Sequence, residues 1–271
     1  MGKRQSQPWI VSDELWTLVE PLLPEPGPKL VEGRPRVPDR QALCGILFVL
    51  YTGIQWEHLP QELGFGSGMT CWRRLAAWNE AGVWDELHVV LLKKLRAKNK
   101  LDWSRAVIDS SHVRAARPGP KSGPSPVDRA RPGSKHHVIT DGQGIPFAVS
   151  LTGGNRNDVT QLLPLLDKVP AVAGVVGRPR RRADALLADR GYDHDKYRRL
   201  LWQRGIRPVI AKRGEEHGSG LGVFRWVVER TISWLHGFRR LRIRWERRDD
   251  IHEAFLVATC LITYRHVQRL C

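Results

Sequence analysis

Apolar and polar residues follow two different periods along this chain, and the change falls near Ser104. Before it the spacing is helical. Leu15, Trp16, Leu18 and Val19 make an apolar stripe that starts after Ser12, a capping residue followed by two acids, and stops at Pro21 and Pro24. A strongly apolar helix is predicted over 39–52, with Gly53 as its C-terminal cap. A short helix over 56–63 comes next, then the turn Gly64-Phe-Gly-Ser67, which offers Ser67 as a cap for a helix over 69–79. A further helix over 84–98 ends in Lys93, Lys94, Arg96 and Lys98.

After Ser104 the apolar runs shorten and become strand-like. A strand is predicted over 105–109. Residues 114–135 hold five prolines, three glycines and six Lys/Arg, and are expected to order only against a partner. A hairpin follows, 136–140 and 145–151, because Asp141-Gly lies between two apolar runs. Asp158 is expected to cap a helix over 159–169. The strand over 185–188 ends at Asp189, Asp193 or Asp195 caps a helix to about 204, and 206–210 is the next strand. Two amphipathic or apolar helices, over 224–241 and 251–268, close the chain. Three antiparallel strands followed by strand–helix alternation predict an α/β class, a mixed sheet with helices on both faces in the order of an RNase H-like fold. A helical domain over 1–100 would precede an α/β domain over 101–271.

Charge changes the picture. The net charge is +16 and the pI about 10.4, a balance that points to a polyanion such as nucleic acid. It is uneven: residues 1–100 carry 13 Lys/Arg against 11 Asp/Glu, and residues 101–271 carry 31 against 17. Helix, glycine turn, helix over 39–79 is a helix-turn-helix outline, with Arg73 and Arg74 on a candidate recognition helix; a bundle that merely supports its neighbour reads equally well. Lys29, Arg34 and Arg36 in the proline-rich 24–38 stretch are candidate phosphate contacts, and Asn155 and Arg156 could touch DNA or an active site. Six arginines lie within 238–248, among them Arg239, Arg240, Arg242 and Arg244; apolar residues interleave, so one side packs while arginines project towards phosphates. Cys44, Cys71, Cys260 and Cys271 are far apart, which supports neither a zinc site nor a disulfide framework and suits a reducing, intracellular setting. No apolar run is long enough to span a bilayer.

Three acids are candidates for chemistry. Asp109 and Asp189 each follow a buried strand; alone, each reads as an ordinary cap or turn residue. On a helical wheel over 224–241, Glu229 falls within about 60° of Arg225, His236 and Arg240, opposite an apolar arc. An Arg225–Glu229 ion pair on a solvated face is the plain alternative. Three carboxylates could hold two divalent ions about 3.5–4 Å apart for phosphodiester chemistry, Asp109 between both, Asp189 and Glu229 on one each.

The motifs Ile108-Asp-Ser-Ser111, Gly133-Ser-Lys-His-His137, Gly154-Asn-Arg-Asn-Asp158, Ala188-Asp-Arg-Gly-Tyr-Asp193 and Val228-Glu-Arg-Thr-Ile-Ser-Trp-Leu235, behind a Trp-rich helical part, resemble the IS5 family (IS4-like group) of bacterial insertion-sequence DDE transposases over nearly the whole chain. The resemblance implies an RNase H-like catalytic domain, an Asp109–Asp189–Glu229 triad holding Mg²⁺ (two ions, with Mn²⁺ as substitute), and cleavage at the element's ends with strand transfer into target DNA. It also implies terminal inverted repeats as a DNA partner, a homodimer that pairs two ends, and a cytoplasmic, nucleoid-associated place. The wider group's Tyr-x2-Arg-x3-Glu-x6-Lys signature is matched at Arg225 and Glu229, but Gly222 and His236 stand where it has Tyr and Lys. Alternatives are an inactive DNA-binding remnant acting as a repressor, and an RNase H-like nuclease without strand transfer.

Overall fold

In the computed structural model the described residues are 7–27, 35–214, 222–255 and 257–268. Lys29, Arg34, Cys271 and most of the glycine-rich 212–222 stretch lie outside them. The N-terminal part forms α1 (Asp13–Val19), α2 (Asp39–Thr52), α3 (Gly68–Glu80) and α4 (Val83–Ala97). Ser12 Oγ accepts from Leu15 N and Ser67 Oγ from Thr70 N, so both sequence-predicted caps form. Gly53 takes φ +75° and ends α2. The short helix over 56–63 is two 3-10 turns, Trp56–His58 and Gln61–Leu63.

Among the described residues seven strands form one sheet: β1 (Ala106–Ala115), β2 (Gly123–Pro124), β3 (Pro132–Asp141), β4 (Pro146–Gly153), β5 (Ala185–Ala188), β6 (Arg207–Ile210) and β7 (Ile243–Arg244). Across it the order is β4-β3-β1-β5-β6; β3 is antiparallel to β1 and β4, while β5 and β6 run parallel to β1. This is the RNase H-like arrangement. Asp141 fixes its hairpin with a buried carboxylate that accepts from Gln143 N, Ile145 N and Asp102 N at 2.7–2.9 Å.

Helices α5 (Leu162–Lys168), α6 (Asp195–Gln203), α7 (Gly222–Gly237), α8 (Asp249–Ala254) and α9 (Val257–Gln268) cover both faces. Residues opposite each other on paired strands point the same way, so the register Asp109↔Val138 and Ser111↔His136 puts these four on one face. That face packs on α7, α9 and the N-terminal helices in a core holding Val107, Val138, Val228 and Leu235. Ile108 and Ile139 point to the other core, with Leu162 and Leu165 of α5 and Leu201 of α6. Helix α4 joins the layers: Leu87 and Leu91 belong to the first core, Leu92 and Leu95 to the second.

Four expectations change. Residues 114–135 are held by contacts within the chain: β1 and β3 extend into them, Ser134 Oγ donates to Lys121 O, and Arg244 Nη1 reaches the same carbonyl. Asp158 does not cap a helix; its carboxylate accepts from buried Lys135 Nζ at 3.0 Å, and a 3-10 turn precedes α5. Helix α6 starts after His194 with no side-chain cap, because Asp193 is taken by Arg198 and by the backbone N–H of Arg213. The closing helix is two helices, α8 and α9.

Candidate active site

Strand pairing fixes Asp109 in the middle of β1, where its Oδ1 accepts from Ser110 N at 2.8 Å. Asp189 is the residue after β5. Its Oδ1 accepts from Gly191 N at 2.9 Å and caps the 3-10 turn Arg190–Tyr192, so the plain capping reading is true of one oxygen; Oδ2 takes no hydrogen bond among the described residues. Glu229 lies on α7, whose seat on the sheet is set by the hairpin turn. Thr231 Oγ1 donates to Gly144 O at 2.5 Å, and a Cβ at Gly144 (φ +89°) would meet Val227 O at 3.0 Å and Thr231 Oγ1 at 3.1 Å. That close approach turns the Arg225–Glu229 stripe towards β1.

The three acids share one electrostatic neighbourhood. Burial pushes the Asp109 carboxyl up; Ser110 N–H and the Arg225 guanidinium oppose the rise, and Asp189 and Glu229 add to it. Arg225 Nη2 stands 3.3 Å from Asp109 Oδ2 and 3.9 Å from Glu229 Oε1. The expected Arg225–Glu229 pair therefore exists, but Asp109 is the nearer partner. Glu229 remains exposed, with 60% of its side chain open to solvent.

Tyr192, in the motif that carries Asp189, was not singled out by the sequence. It is buried, its hydroxyl has no hydrogen-bond partner among the described residues, and burial with Asp158, Asp109 and Asp189 nearby pushes its pKa well up. Lys135 was missed as well. The signal was a lysine inside a buried strand, which needs a counter-charge and finds it in Asp158.

The candidate DNA contacts divide sharply. Arg73, Arg156, Arg239 and Arg242 are exposed. Two readings are corrected, because Arg240 and Arg244 are interior. Arg240 donates to Glu246 Oε1 and to the carbonyls of Gly53 and Ile54; Arg244 donates to the carbonyls of Glu246, Lys121 and Arg247 and to Ser134 Oγ. A guanidinium whose donors are all turned inward has none left for phosphate. Arg74 is largely committed too, 2.5 Å from Asp39. His236 does reach the sheet, its Nε2 3.2 Å from Ser111 Oγ, but burial, then Arg242, lower its pKa. Both causes work against a positive charge where the family signature has a cation.

A family model described as a putative transposase of the IS4/5 family matches residues 11–88, and one described as a transposase DDE domain matches residues 103–264. The chain belongs to the DDE transposases. A putative transposase for insertion sequence element IS402 of Burkholderia cepacia is 62% identical over 151 residues, 55% of this chain and 72% of that protein. An uncharacterized 16.2 kDa protein of the same element is 57% identical over 119 residues, 43% of this chain and 81% of that one. The Mos1 strand transfer complex matches at 12% identity over 89% of this chain and 79% of its own, with a TM-score of 0.35, too low to carry an argument. No helix among the described residues is long and apolar enough to cross a membrane.

DDE transposases depend on divalent metal. The donor chemistry of this site suits such an ion: carboxylate oxygens only, one of them on a partly desolvated acid whose ionisation two others oppose. The arrangement is not closed around an ion, since no group of three His, Cys, Asp or Glu among the described residues is disposed to hold one. Glu229 sits on an exposed helix face, with the Arg225 guanidinium between it and Asp109.

Proposed function

We propose that Asp109, Asp189 and Glu229 are the catalytic acids of this transposase and that it cleaves DNA at the ends of an insertion sequence and joins the freed 3′-hydroxyl to target DNA. The observation that carries the reading is geometric: Arg225 stands within 4 Å of both Asp109 on β1 and Glu229 on α7, and Asp189 follows β5, the strand that runs parallel to β1. The three carboxylates would hold two Mg²⁺ ions, with Mn²⁺ as a substitute. Bound metal supplies Lewis acidity to the attacking and leaving oxygens of the phosphodiester.

The chain's own residues do the rest. The β1–β3 pairing and Ser110 N–H hold Asp109 in place. The turn after β5 fixes Asp189 through Oδ1 and leaves Oδ2 for a ligand. Arg239 and Arg242, exposed next to the C-terminal end of α7, and Arg156, two residues from Asp158, would bind backbone phosphates. Arg73 on α3 would do so from a DNA-binding division over residues 1–100, followed by the catalytic division over 101–271. Terminal inverted repeats and target DNA are the substrates of this reading. Two ends must be paired, which a homodimer in the bacterial cytoplasm would do.

The test is metal-dependent joining of a labelled, pre-cleaved end of the flanking DNA to a supercoiled plasmid, for wild type and Asp189→Asn in parallel. Joining by wild type alone is expected. Joining by both would reject the role of Asp189. Joining by neither, with DNA binding intact, would favour a DNA-binding remnant.

A further inference from the structure

We propose that Arg225 is a displaceable internal counter-ion: it occupies the place of the metal between Asp109 and Glu229 in the free transposase and is released towards phosphate when metal and DNA bind. The inference rests on the reading of Asp109, Asp189 and Glu229 as metal ligands.

The geometry of Arg225 is that of a loosely held cation. Charge-assisted N–H···O contacts settle at about 2.7–2.9 Å. Arg225 stands 3.3 Å from Asp109 and 3.9 Å from Glu229, between two acids rather than clamped on either. Its Nε is buried and has no hydrogen-bond partner among the described residues. Arg240 and Arg244 are buried in the same half of the chain with three or more acceptors each. The protein thus knows how to lock an arginine, and Arg225 is not locked.

Its position has two consequences. A guanidinium within 4 Å of both carboxylates neutralises part of the charge that a dication needs, and it repels that ion. It also keeps Glu229, on an exposed face, from joining Asp109 around an ion, in line with the lack of a three-group metal cluster among the described residues. A phosphate at the site supplies the alternative partner. The planar fork of Arg225 matches phosphate bidentately, including the donor that is idle in the free protein. Phosphate and metal would then each favour the other: metal expels Arg225 from the acids, and phosphate captures it. Coupling of this kind is reciprocal. The free transposase would bind metal weakly and gain affinity once DNA is seated, which keeps a DNA-cutting centre unassembled away from its substrate. Arg225 is here a positioning residue, acting through the acids.

The test is Mn²⁺ binding, followed by the paramagnetic resonance signal of free Mn²⁺ at pH 8, for the full-length protein with and without a duplex of the element's end. Arg225→Gln should bind Mn²⁺ about tenfold more tightly than wild type without DNA, and the tightening that DNA gives wild type should shrink. Arg225→Lys keeps a cation and loses the fork; it should bind Mn²⁺ weakly like wild type but gain less from DNA, and it stands as the second variant should Arg225→Gln not fold. Weaker or unchanged Mn²⁺ binding by Arg225→Gln, or a full DNA-linked gain in Arg225→Lys, would overturn the proposal. Glu229→Gln and Asp189→Asn separate the two ideas. Loss of Mn²⁺ affinity in both upholds the acids as ligands whatever Arg225 does, and retention in both removes the triad and the counter-ion together.

Discussion

Two regions of this transposase are dense in charge, and they treat it in opposite ways. In the 238–248 segment the buried arginines are satisfied: Arg240 has a carboxylate and two carbonyls, Arg244 three carbonyls and a hydroxyl. At the end of β5 and along β1 and α7, charge is gathered but left short of partners. Asp109 is desolvated beside two other acids, Tyr192 has an idle hydroxyl, and Arg225 reaches its acids only at long range. Burying a charge costs several kcal/mol unless hydrogen bonds replace water. Where every donor is paired, the charge serves the fold. Where like charges converge and remain half-open, that stabilisation is missing, which is the pattern of a candidate functional site.

The largest effects should fall on opposite properties in the two regions. Asp189→Asn should lower strand joining by about 10³-fold or more, since it removes a metal-binding charge, while the urea midpoint stays close to wild type. Arg244→Met should do the reverse in kind. It removes a donor from three carbonyls and from Ser134 Oγ at once, and unfolding in urea should show a loss of about 3–5 kcal/mol. An Arg244→Met protein as stable as wild type would erase the distinction between the regions.

A smaller, diffuse effect comes from buried histidines. Burial lowers His88 and His137 to about 4 and His136 to about 3, and puts His252 well below its usual value; His136 and His252 meet Nε2 to Nε2 at 2.8 Å. A folded-state pKa below the unfolded 6.5 means that the unfolded chain takes up protons first as pH falls. These groups therefore contribute their full stability above pH 6.5 and lose it as pH falls towards 4. Asp141 opposes them. Burial raises it from 3.8 to about 6, so the folded state holds its proton longer and stability declines as pH rises through that window. Four histidines outweigh one acid. Urea unfolding at pH 7 and pH 5 should show a net loss at pH 5 on the order of a few kcal/mol; equal midpoints would mean that the pair around His136 is already open to water.

How much of this was legible in the sequence depended on whether the cause was local. The strand over 185–188 and the helix over 39–52 are found at their predicted bounds because punctuation stands at their ends: Asp189 after four apolar residues, Pro38 before the helix and Gly53 after it. The hairpin followed from Asp141-Gly, whose carboxylate serves its own turn. Residues 114–135 were misread because their order comes from elsewhere, from Arg244 and from the lengthened β1–β3 pairing. The arginine segment failed for a related reason. A 3-10 turn at Arg239–Leu241 and the short β7 break the helical period, so no single wheel could say that Arg240 and Arg244 turn inward. Of the acids, Asp189 was legible as a strand-end carboxylate, whereas Asp109, expected at a strand end, lies inside β1, which runs on to Ala115. That Arg225 would lean on Asp109, 116 positions earlier in the chain, more closely than on Glu229 was not.

The smallest expected effects fall on the outer arginines of the same segment, and they decide whether that segment has two sides. Arg239 and Arg242 are exposed, and Arg242 spends its Nε on His236 O at 2.7 Å. Surface substitutions away from packed features change stability by about 0.5 kcal/mol or less, so Arg239→Ala and Arg242→Ala should unfold with wild-type midpoints. A lost phosphate contact has a different signature: it weakens binding about equally for every DNA sequence and lowers the slope of log affinity against log salt by about 1. Fluorescence anisotropy on end and unrelated duplexes, at several salt concentrations, reads both quantities. A reduced slope without a change in preference between duplexes would set these arginines apart from Arg240 and Arg244, a few residues away and chemically identical, as the half of the segment that faces DNA. An unchanged slope in both variants would leave the outer arginines as solvated charge, and the search for the DNA track would move to Arg156 and Arg73.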